Sequence, residues 1–202
     1  MNCLFRLPRN NVTTLQDLLN DLTSSDETRA EQVVSVLIDL GEEAIPALRE
    51  LTQSKDADAR WWALRVLAQS PHSRTEWLVP FLNDSAVEVR QCAALGLSIK
   101  PDESAIQPLV RSLSDEDALV SNLAVRALVR IGNAAVPSLI ENVRSGLQSS
   151  RILALRALVE IRDHRAIPVM MQVMNEDSAL LLHWAKEGLE RLGLDMVYIK
   201  PV

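Results

Sequence analysis

The chain has 202 residues, a formal net charge of −6, and a composition that is 48% apolar and 24% charged. This length and apolar content suffice for a hydrophobic core and exclude disordered, collagen-like and disulfide-stapled chains. Only 6 Gly, 4 Trp, 2 Phe and 1 Tyr are present, which argues against an all-β fold, whereas abundant Leu, Ala, Arg and Glu favour helices.

The first residues do not read as a secretory signal peptide. The apolar stretch before Arg6 is too short, and no segment of the sequence approaches the roughly 18 apolar residues of a membrane span. The two cysteines, Cys3 and Cys92, lie far apart and form no disulfide framework, which favours a reducing compartment. The sequence therefore predicts a cytoplasmic protein without a membrane segment.

A repeated pattern of small residues and leucines dominates residues 12–193. A column of small residues recurs every 30 or 31 positions, with Leu four residues after each member and a mostly small residue three after it. This i, i+3, i+4 spacing is typical of the buried stripe of a closely packed helix. The column defines a reference position in each of six repeats, namely Val33, Ala63, Ala93, Ala124, Ala154 and Ala185.

Prolines and glycines divide each repeat into two helices. Eight residues after the reference position, a helix-terminating Gly or Pro stands in five repeats and Arg162 in the remaining one. In the third repeat Trp77 stands near the usual position of the first-helix proline and Pro80 follows later, so we expect a shifted helix start there. The four regular prolines in the first turn of the first helix are Pro46, Pro108, Pro137 and Pro168.

One helix–turn–helix unit of about 30 residues cannot bury its own apolar face, so such units must stack on one another. The sequence therefore predicts an all-α fold, an α-solenoid or superhelix of about six helical hairpins over residues 12–193. Residues 1–11 are interpreted as an N-terminal cap segment in which Leu4, Phe5 and Leu7 cover the first hairpin. The apolar residues 194–202 form a C-terminal tail that covers the last hairpin or contacts a second copy.

The pattern A-[IV]-x-x-L…D-x-x-x-x-V-R-x-x-A-x-x-A-L resembles the HEAT-like repeats of phycobilisome lyase proteins. The resemblance covers about residues 12–193 and is clearest over residues 46–67, 84–95 and 105–128. It implies a ladder of Asp and Arg between neighbouring units, which Ser121 and Leu182 interrupt because they replace the Arg. The matching residues are Asp56, Asp84, Asp115, Arg60, Arg90 and Arg151.

The positions opposite the buried stripe predict a partner-binding surface on the second helices. This outer stripe comprises the positions two before, two after and six after each reference residue, and solenoids usually bind along the concave surface that such helices form. Arg and Trp often dominate interface energetics, although Arg side chains here could instead solvate the helix and pair with nearby carboxylates. The predicted partner-binding residues are Trp61, Arg65, Asn122, Arg126, Arg130, Ile152 and Arg156.

Two further patterns concern this surface. Trp61 and Trp62 are adjacent and cannot both face the core, and Trp62 falls in an apolar column, so we expect Trp62 inside and Trp61 outside. Charge is uneven along the chain, because residues 10–59 carry a net −8 and residues 118–170 a net +4. Such a division could orient a partner or a second copy, or could be ordinary surface scatter.

No catalytic or metal-binding constellation is readable, and no cofactor is implied. His72, His164 and His183 lack a second His or Cys at ligand spacing, and Gly-rich phosphate loops and nucleophile motifs are absent from the sequence. Whether the chain is an enzyme stays open, with the balance towards a non-catalytic module. We interpret it as a protein–protein interaction scaffold or adaptor, a monomer or weak dimer, that binds a protein or peptide along its concave face.

The resemblance implies an alternative, a phycobilisome-lyase-like protein that handles bilin chromophores on an antenna protein. Arg residues of the outer stripe could pair with bilin propionates. The acidic balance argues against nucleic acid as a partner and therefore against the HEAT-type DNA glycosylases. Similarity to deoxyhypusine hydroxylase is disfavoured because the His-Glu iron ligands of that family are missing.

Overall fold

The computed structural model describes residues 5–6 and 12–194, with side chains from residue 14 onward. The predicted covering roles of Leu4, Phe5, Leu7 and residues 195–202 lie outside the described side chains. At the N-terminal end, strand β1 (Phe5–Arg6) pairs antiparallel with strand β2 (Val12–Thr13). All other regular elements of the described chain are helical.

Six helical hairpins follow, so the predicted all-α repeat architecture is confirmed. Each first helix begins 18 residues before the reference position of its repeat, and each second helix 6 residues before it. The first helices are α1 (Leu15–Leu22), α3 (Ile45–Leu51), α5 (Thr75–Leu78), α7 (Ile106–Ser112), α9 (Val136–Ser145) and α11 (Ile167–Val173). The second helices are α2 (Glu27–Asp39), α4 (Ala57–Gln69), α6 (Val87–Ile99), α8 (Ala118–Ile131), α10 (Gln148–Ile161) and α12 (Ala179–Arg191).

The expected shift of the helix start in the third repeat is wrong. Helix α5 begins at Thr75, in the same register as the other first helices, but it ends at Leu78 and continues as a 3₁₀ helix over Val79–Asn83. Pro80 is the second residue of that 3₁₀ segment. Its ring removes the backbone N–H that would continue the α-helical ladder, so Pro80 changes the end of the helix rather than its beginning.

The helix-terminating column has a positive φ angle at four of its six positions. Gly41, Gly132 and Gly193 have φ angles of 59°, 78° and 81°, and Arg162, the exception in the sequence, has a φ of 60°. Arg162 is the C-cap of α10 and lies in the left-handed region. The chain thus adopts a positive φ at this position of the fifth repeat although the residue is not Gly, and Arg162 bears a strain that Gly would avoid.

The chain divides into two compact units, Met1–Gly96 and Leu97–Val202. In the first unit Val33, Ala63 and Ala93 are buried, and Trp62 lies in the core as predicted. In the second unit Ala124, Ala154 and Ala185 are fully buried. The small residues at the reference positions thus let neighbouring helices approach closely in both units.

A glycine marks one such close approach in the first unit. A Cβ atom on Gly96 would lie 2.8 Å from the Cβ atom of Ala68 and 3.0 Å from Cδ1 of Leu78. In the second unit, Gly188 stands at the same register position, three residues after the reference, against the side chains of Met170 and Val159. Both glycines therefore remove side-chain volume where helices meet.

The Arg–Asp ladder is present within the first unit. Arg60 donates from Nε and Nη2 to the carboxylate of Asp84 at 2.8 and 2.7 Å, and from Nη1 to the carbonyls of Ser54 and Lys55 at 3.0 and 3.1 Å. Asp56 has a local role, because it caps α4 by accepting the backbone N–H of Asp58. The ladder therefore ties the turn of one repeat to the turn of the next.

The second unit contains a variant of this ladder. Arg151 donates from Nη2 to Glu176 at 2.6 Å, and from Nε to the carbonyl of Val143. A Glu here replaces the Asp of the first unit. Ser121 is buried and donates to the carbonyl of Ala118 within its own helix. The ladder is thus interrupted at Ser121, as predicted, because the Ser121 hydroxyl forms its hydrogen bond within its own helix.

Candidate functional site

The outer stripe is accessible in both units. Every member of it between Glu31 and Arg191 is exposed or half-buried, and none is buried. Two of the predicted partner-binding residues, Trp61 and Arg65, lie on α4 of the first unit. The other five lie on α8 and α10 of the second unit, two helices that pack against each other.

Trp61 and Arg65 form a compact cluster with Trp62. The two indole rings meet edge to face with centroids 4.7 Å apart, and the Arg65 guanidinium carbon lies 5.3 Å from the Trp61 centroid and 5.8 Å from that of Trp62. Arg65 also donates from Nη2 to both carboxylate oxygens of Glu31, at 2.7 and 2.8 Å. In this structure Arg65 is therefore paired with a nearby carboxylate, which is the second of the two interpretations that the sequence left open for the outer-stripe arginines.

An equivalent contact occurs in the second unit. Arg156 donates from Nη2 to Oδ1 of Asn122 at 2.7 Å, and the Asn122 amide donates to the carbonyl of Ala118 at 2.6 Å. Both contacts join the position two before the reference residue of one repeat to the position two after that of the next. These two contacts were not predicted from the sequence. Both join residues that are 34 positions apart, and this common separation could have indicated them.

Arg126 and Arg130 differ from these paired arginines. Both are exposed on α8, one helical turn apart, and neither forms a hydrogen bond or ion pair with the part of the chain that the structure describes. Ile152 on neighbouring α10 is half-buried. The second unit therefore presents two unpaired guanidinium groups beside a partly apolar helix face.

The buried thiol of Cys92 is not a reactive group. Its Sγ atom lies 4.0 Å from the carbonyl oxygen of Trp61, and burial raises the pKa of the thiol to about 12 against a smaller opposing effect of the Arg65 charge. Between residues 14 and 194, no three His, Cys, Asp or Glu side chains are placed to hold a metal ion. None of the described helices is both long and apolar enough to cross a membrane.

Comparison with protein families identifies the class to which these hairpins belong. Residues 75–150 match the model for HEAT repeats, and residues 150–176 match the model for the PBS lyase HEAT-like repeat. The chain is a HEAT-repeat protein. More particularly, the repeat at residues 150–176 is of the type named after the phycobilisome lyases, as the sequence pattern implies.

A curated relative and two solved structures are similar to this chain. The bilin biosynthesis protein RpcF of Synechococcus sp. (strain WH8020) is 32% identical over 91 residues, which are 45% of this chain and 44% of that protein. The match thus spans less than half the length of the relative. An archaeal HEAT-like repeats protein from Thermococcus onnurineus NA1 aligns with a TM-score of 0.62 at 15% identity, covering 91% of this chain and 82% of the other.

The second structure is the complex of CpcE and CpcF of phycocyanin lyase from Nostoc sp. PCC7120. One chain of it aligns with a TM-score of 0.55 at 22% identity, covering 71% of this chain and 96% of that chain. At these identities the two structural matches establish the helical-repeat fold. They assign no residue of the present chain to an activity.

Proposed function

We propose that this protein binds bilin chromophores and presents them to a protein partner, as a phycobilisome-lyase-like protein. The observation that carries the proposal is the 32% identity over 91 residues with a protein named for bilin biosynthesis. The structural similarity to a chain of the CpcE–CpcF complex is consistent with it. This role replaces the general scaffold as the leading interpretation of the fold.

The second unit offers suitable chemistry for a linear tetrapyrrole. A bilin carries two propionate carboxylates, and Arg126 and Arg130 supply two unpaired guanidinium groups one helical turn apart. Arg156 lies on neighbouring α10, where its bond to Asn122 fixes the guanidinium. Ile152 adds apolar surface for the pyrrole rings. The net charge of +4 over residues 118–170 favours such a dianionic ligand.

The test uses biliverdin, a linear tetrapyrrole with two propionates, titrated with the purified chain and followed by visible absorbance. We expect a saturable spectral change that weakens at least about tenfold in the Arg126→Gln, Arg130→Gln double variant, because two charge-assisted hydrogen bonds are lost. Arg111→Gln with Arg144→Gln is the charge-matched control, since both arginines are exposed on first helices of the second unit, α7 and α9. No spectral change with the native chain would refute the proposal.

A protein partner is a second proposed element, supported by a separate observation. Leu119, Leu147 and Leu180 are 51%, 68% and 58% exposed, and all three stand at the beginning of second helices in the second unit. Exposed leucines in consecutive repeats are typical of an interaction edge. We propose that this edge, together with the outer stripe, contacts the protein that receives the chromophore.

This element is tested by light scattering of the chain mixed with a phycobiliprotein subunit that lacks its bilin. We expect a complex whose affinity falls in the Leu147→Ser, Leu180→Ser variant and is retained in Met171→Ser, which changes an exposed apolar residue of a first helix. Equal affinity of all three proteins would remove the leucine edge from the proposal and leave the biliverdin result unaffected.

A further inference from the structure

A cavity of about 340 Å³ lies in the first unit, between the turn that joins α1 to α2 and the N-terminal ends of α2, α4 and α6. Its lining contains no Lys, Arg or His. The residues that define its chemistry are four carboxylates and two indoles, namely Glu27, Asp56, Asp58, Glu88, Trp61 and Trp62. The cavity is therefore both anionic and aromatic.

Three of these carboxylates have no partner in the described chain. The carboxylates of Glu27, Asp58 and Glu88 are exposed and form no hydrogen bond or ion pair with residues 14–194. Asp56 differs, because it caps α4. Acidic residues in the first turn of a helix also stabilise the helix dipole, so the dipole is an alternative reason for their presence.

The repeat provides an internal comparison for the dipole explanation. Asp58 and Glu88 stand five residues before the reference positions of their repeats, where the second unit has Leu119, Ser149 and Leu180. Helices α8, α10 and α12 are as long as their counterparts and form without an acid at this position. The repeat thus does not require an acid at this position, and the gathering of carboxylates around one cavity is particular to the first unit.

The indoles give the cavity a second affinity for positive charge. The π face of Trp attracts a cation, and the Trp61–Trp62 pair already holds the Arg65 guanidinium at 5.3 and 5.8 Å from the two centroids. Arg65 itself is paired with Glu31, so it does not neutralise the three cavity carboxylates that have no partner among the described residues, Glu27, Asp58 and Glu88. A cation that enters the cavity would meet carboxylates and aromatic rings together.

We propose that this cavity binds an arginine side chain of a partner protein. A guanidinium has several donors in one plane and stacks on indoles, which suits carboxylates distributed around a tryptophan wall. The carboxylates do not converge into a set that could hold a metal ion. The cavity lies in the first unit, whereas the arginines proposed to bind the chromophore lie in the second unit. The two sites can therefore be tested separately.

The probe is the peptide acetyl-Gly-Arg-Gly-amide, and the readout is the four tryptophan indole N–H signals in a ¹⁵N–¹H correlation spectrum. We expect saturable shifts of the Trp61 and Trp62 signals at millimolar peptide, with those of Trp77 and Trp184 unmoved. Trp77 packs against Arg49 and Arg74, and Trp184 against His183, so these two signals report on the rest of the chain and on its folding. The same peptide with citrulline, which is neutral, should produce no shift.

Paired variants separate the cavity from general acidity. Asp58→Asn with Glu88→Gln should raise the dissociation constant of the arginine peptide about fivefold or more, because exposed ion pairs and cation–π contacts are each individually weak. Asp39→Asn with Glu43→Gln removes the same charge from exposed positions of the first unit outside the cavity and should leave the constant unchanged. Equal weakening in both variants, equal shifts of all four indoles, or binding of the citrulline peptide would overturn the proposal.

Discussion

Arg60 and Asp84 lie 24 positions apart in the chain, yet the guanidinium of one and the carboxylate of the other are joined by two hydrogen bonds of 2.8 and 2.7 Å. The two side chains are only 12% and 9% exposed. Two further carbonyls accept from the same guanidinium. This pair therefore connects α4 to the turn that precedes α6, and loss of either charge leaves the other largely buried without its hydrogen-bonded counter-charge.

We expect Asp84→Asn to lower the free energy of unfolding by about 3 kcal/mol, because breaking a largely buried ion pair leaves Arg60 without its counter-charge. Urea denaturation followed by circular dichroism measures the change. Glu187→Gln is the control, since its pair with Arg191 is a half-exposed contact within one helix and should be worth about 0.5 kcal/mol or less. Similar losses in the two variants would contradict the structural role of Arg60–Asp84.

The same pair predicts a pH dependence. Burial raises the pKa of Asp84, but the hydrogen bonds from Arg60 and from the Ala86 N–H, together with the Arg60 and Arg90 charges, outweigh it and hold the pKa below its usual range. A carboxyl with a lowered folded pKa stabilises the fold fully above its unfolded pKa of about 3.9, and this stability is lost as pH falls through the folded value.

The stability difference between the native chain and Asp84→Asn should consequently stay constant between about pH 8 and pH 5 and shrink below about pH 4. Urea midpoints of both proteins across this range provide the measurement. A difference that grows on acidification would mean that the carboxyl is favoured in its protonated form in the folded chain.

Gly96→Ala should destabilise the first unit by about 1–2 kcal/mol, because overpacking outweighs the gain in helix propensity. The new Cβ atom would lie 2.8 Å from the Cβ atom of Ala68, which belongs to a helix and cannot rotate away. Adding Ala68→Gly to Gly96→Ala removes this clash, so the double variant should lose less stability than the two single variants lose together, which thermal melting of the native chain and all three variants would show. An additive loss in the double variant would exclude the contact as the cause.

Arg162→Gly should stabilise the second unit by about 0.5–1 kcal/mol, because Gly adopts a φ of 60° without steric strain. Arg126→Gly, in the interior of α8, should instead cost about 1 kcal/mol of helix propensity. Opposite changes in melting temperature are the expected result. A loss of stability at Arg162 comparable to that at Arg126 would show that the left-handed backbone is not strained.

The fold was predictable because burial depends on spacing along the sequence. The small-residue column and the Leu four residues later place one face of each second helix inside, and the same logic separates Trp62 from Trp61. Helix ends were predictable in part, since Gly41 and Gly132 mark positive φ, whereas Arg162 adopts it because the surrounding chain imposes the turn. The effect of Pro80 was misplaced because a proline can end a helix as well as begin one.

Side-chain partners on the surface were harder to predict. Which residue Arg65 or Arg156 meets depends on the rotation and offset of neighbouring helices, which the spacing within one helix does not contain. The sequence therefore indicated an arginine-rich face but did not separate the paired Arg65 and Arg156 from Arg126 and Arg130. The anionic cavity was missed for the same reason, since its carboxylates come from three helices and meet only in space.

The contacts Glu31–Arg65 and Asn122–Arg156 join the same two positions of successive repeats in different parts of the chain. A chain in which one whole repeat is lost keeps these positions in register. Removal of the fifth repeat, for example, would bring the Asn122 position opposite that of Glu187, and an amide can donate to that carboxylate. Loss or gain of a whole hairpin therefore leaves these two positions facing each other at the new junction, and the junction is polar where neither position holds an apolar residue such as Trp61, Leu95 or Ile152.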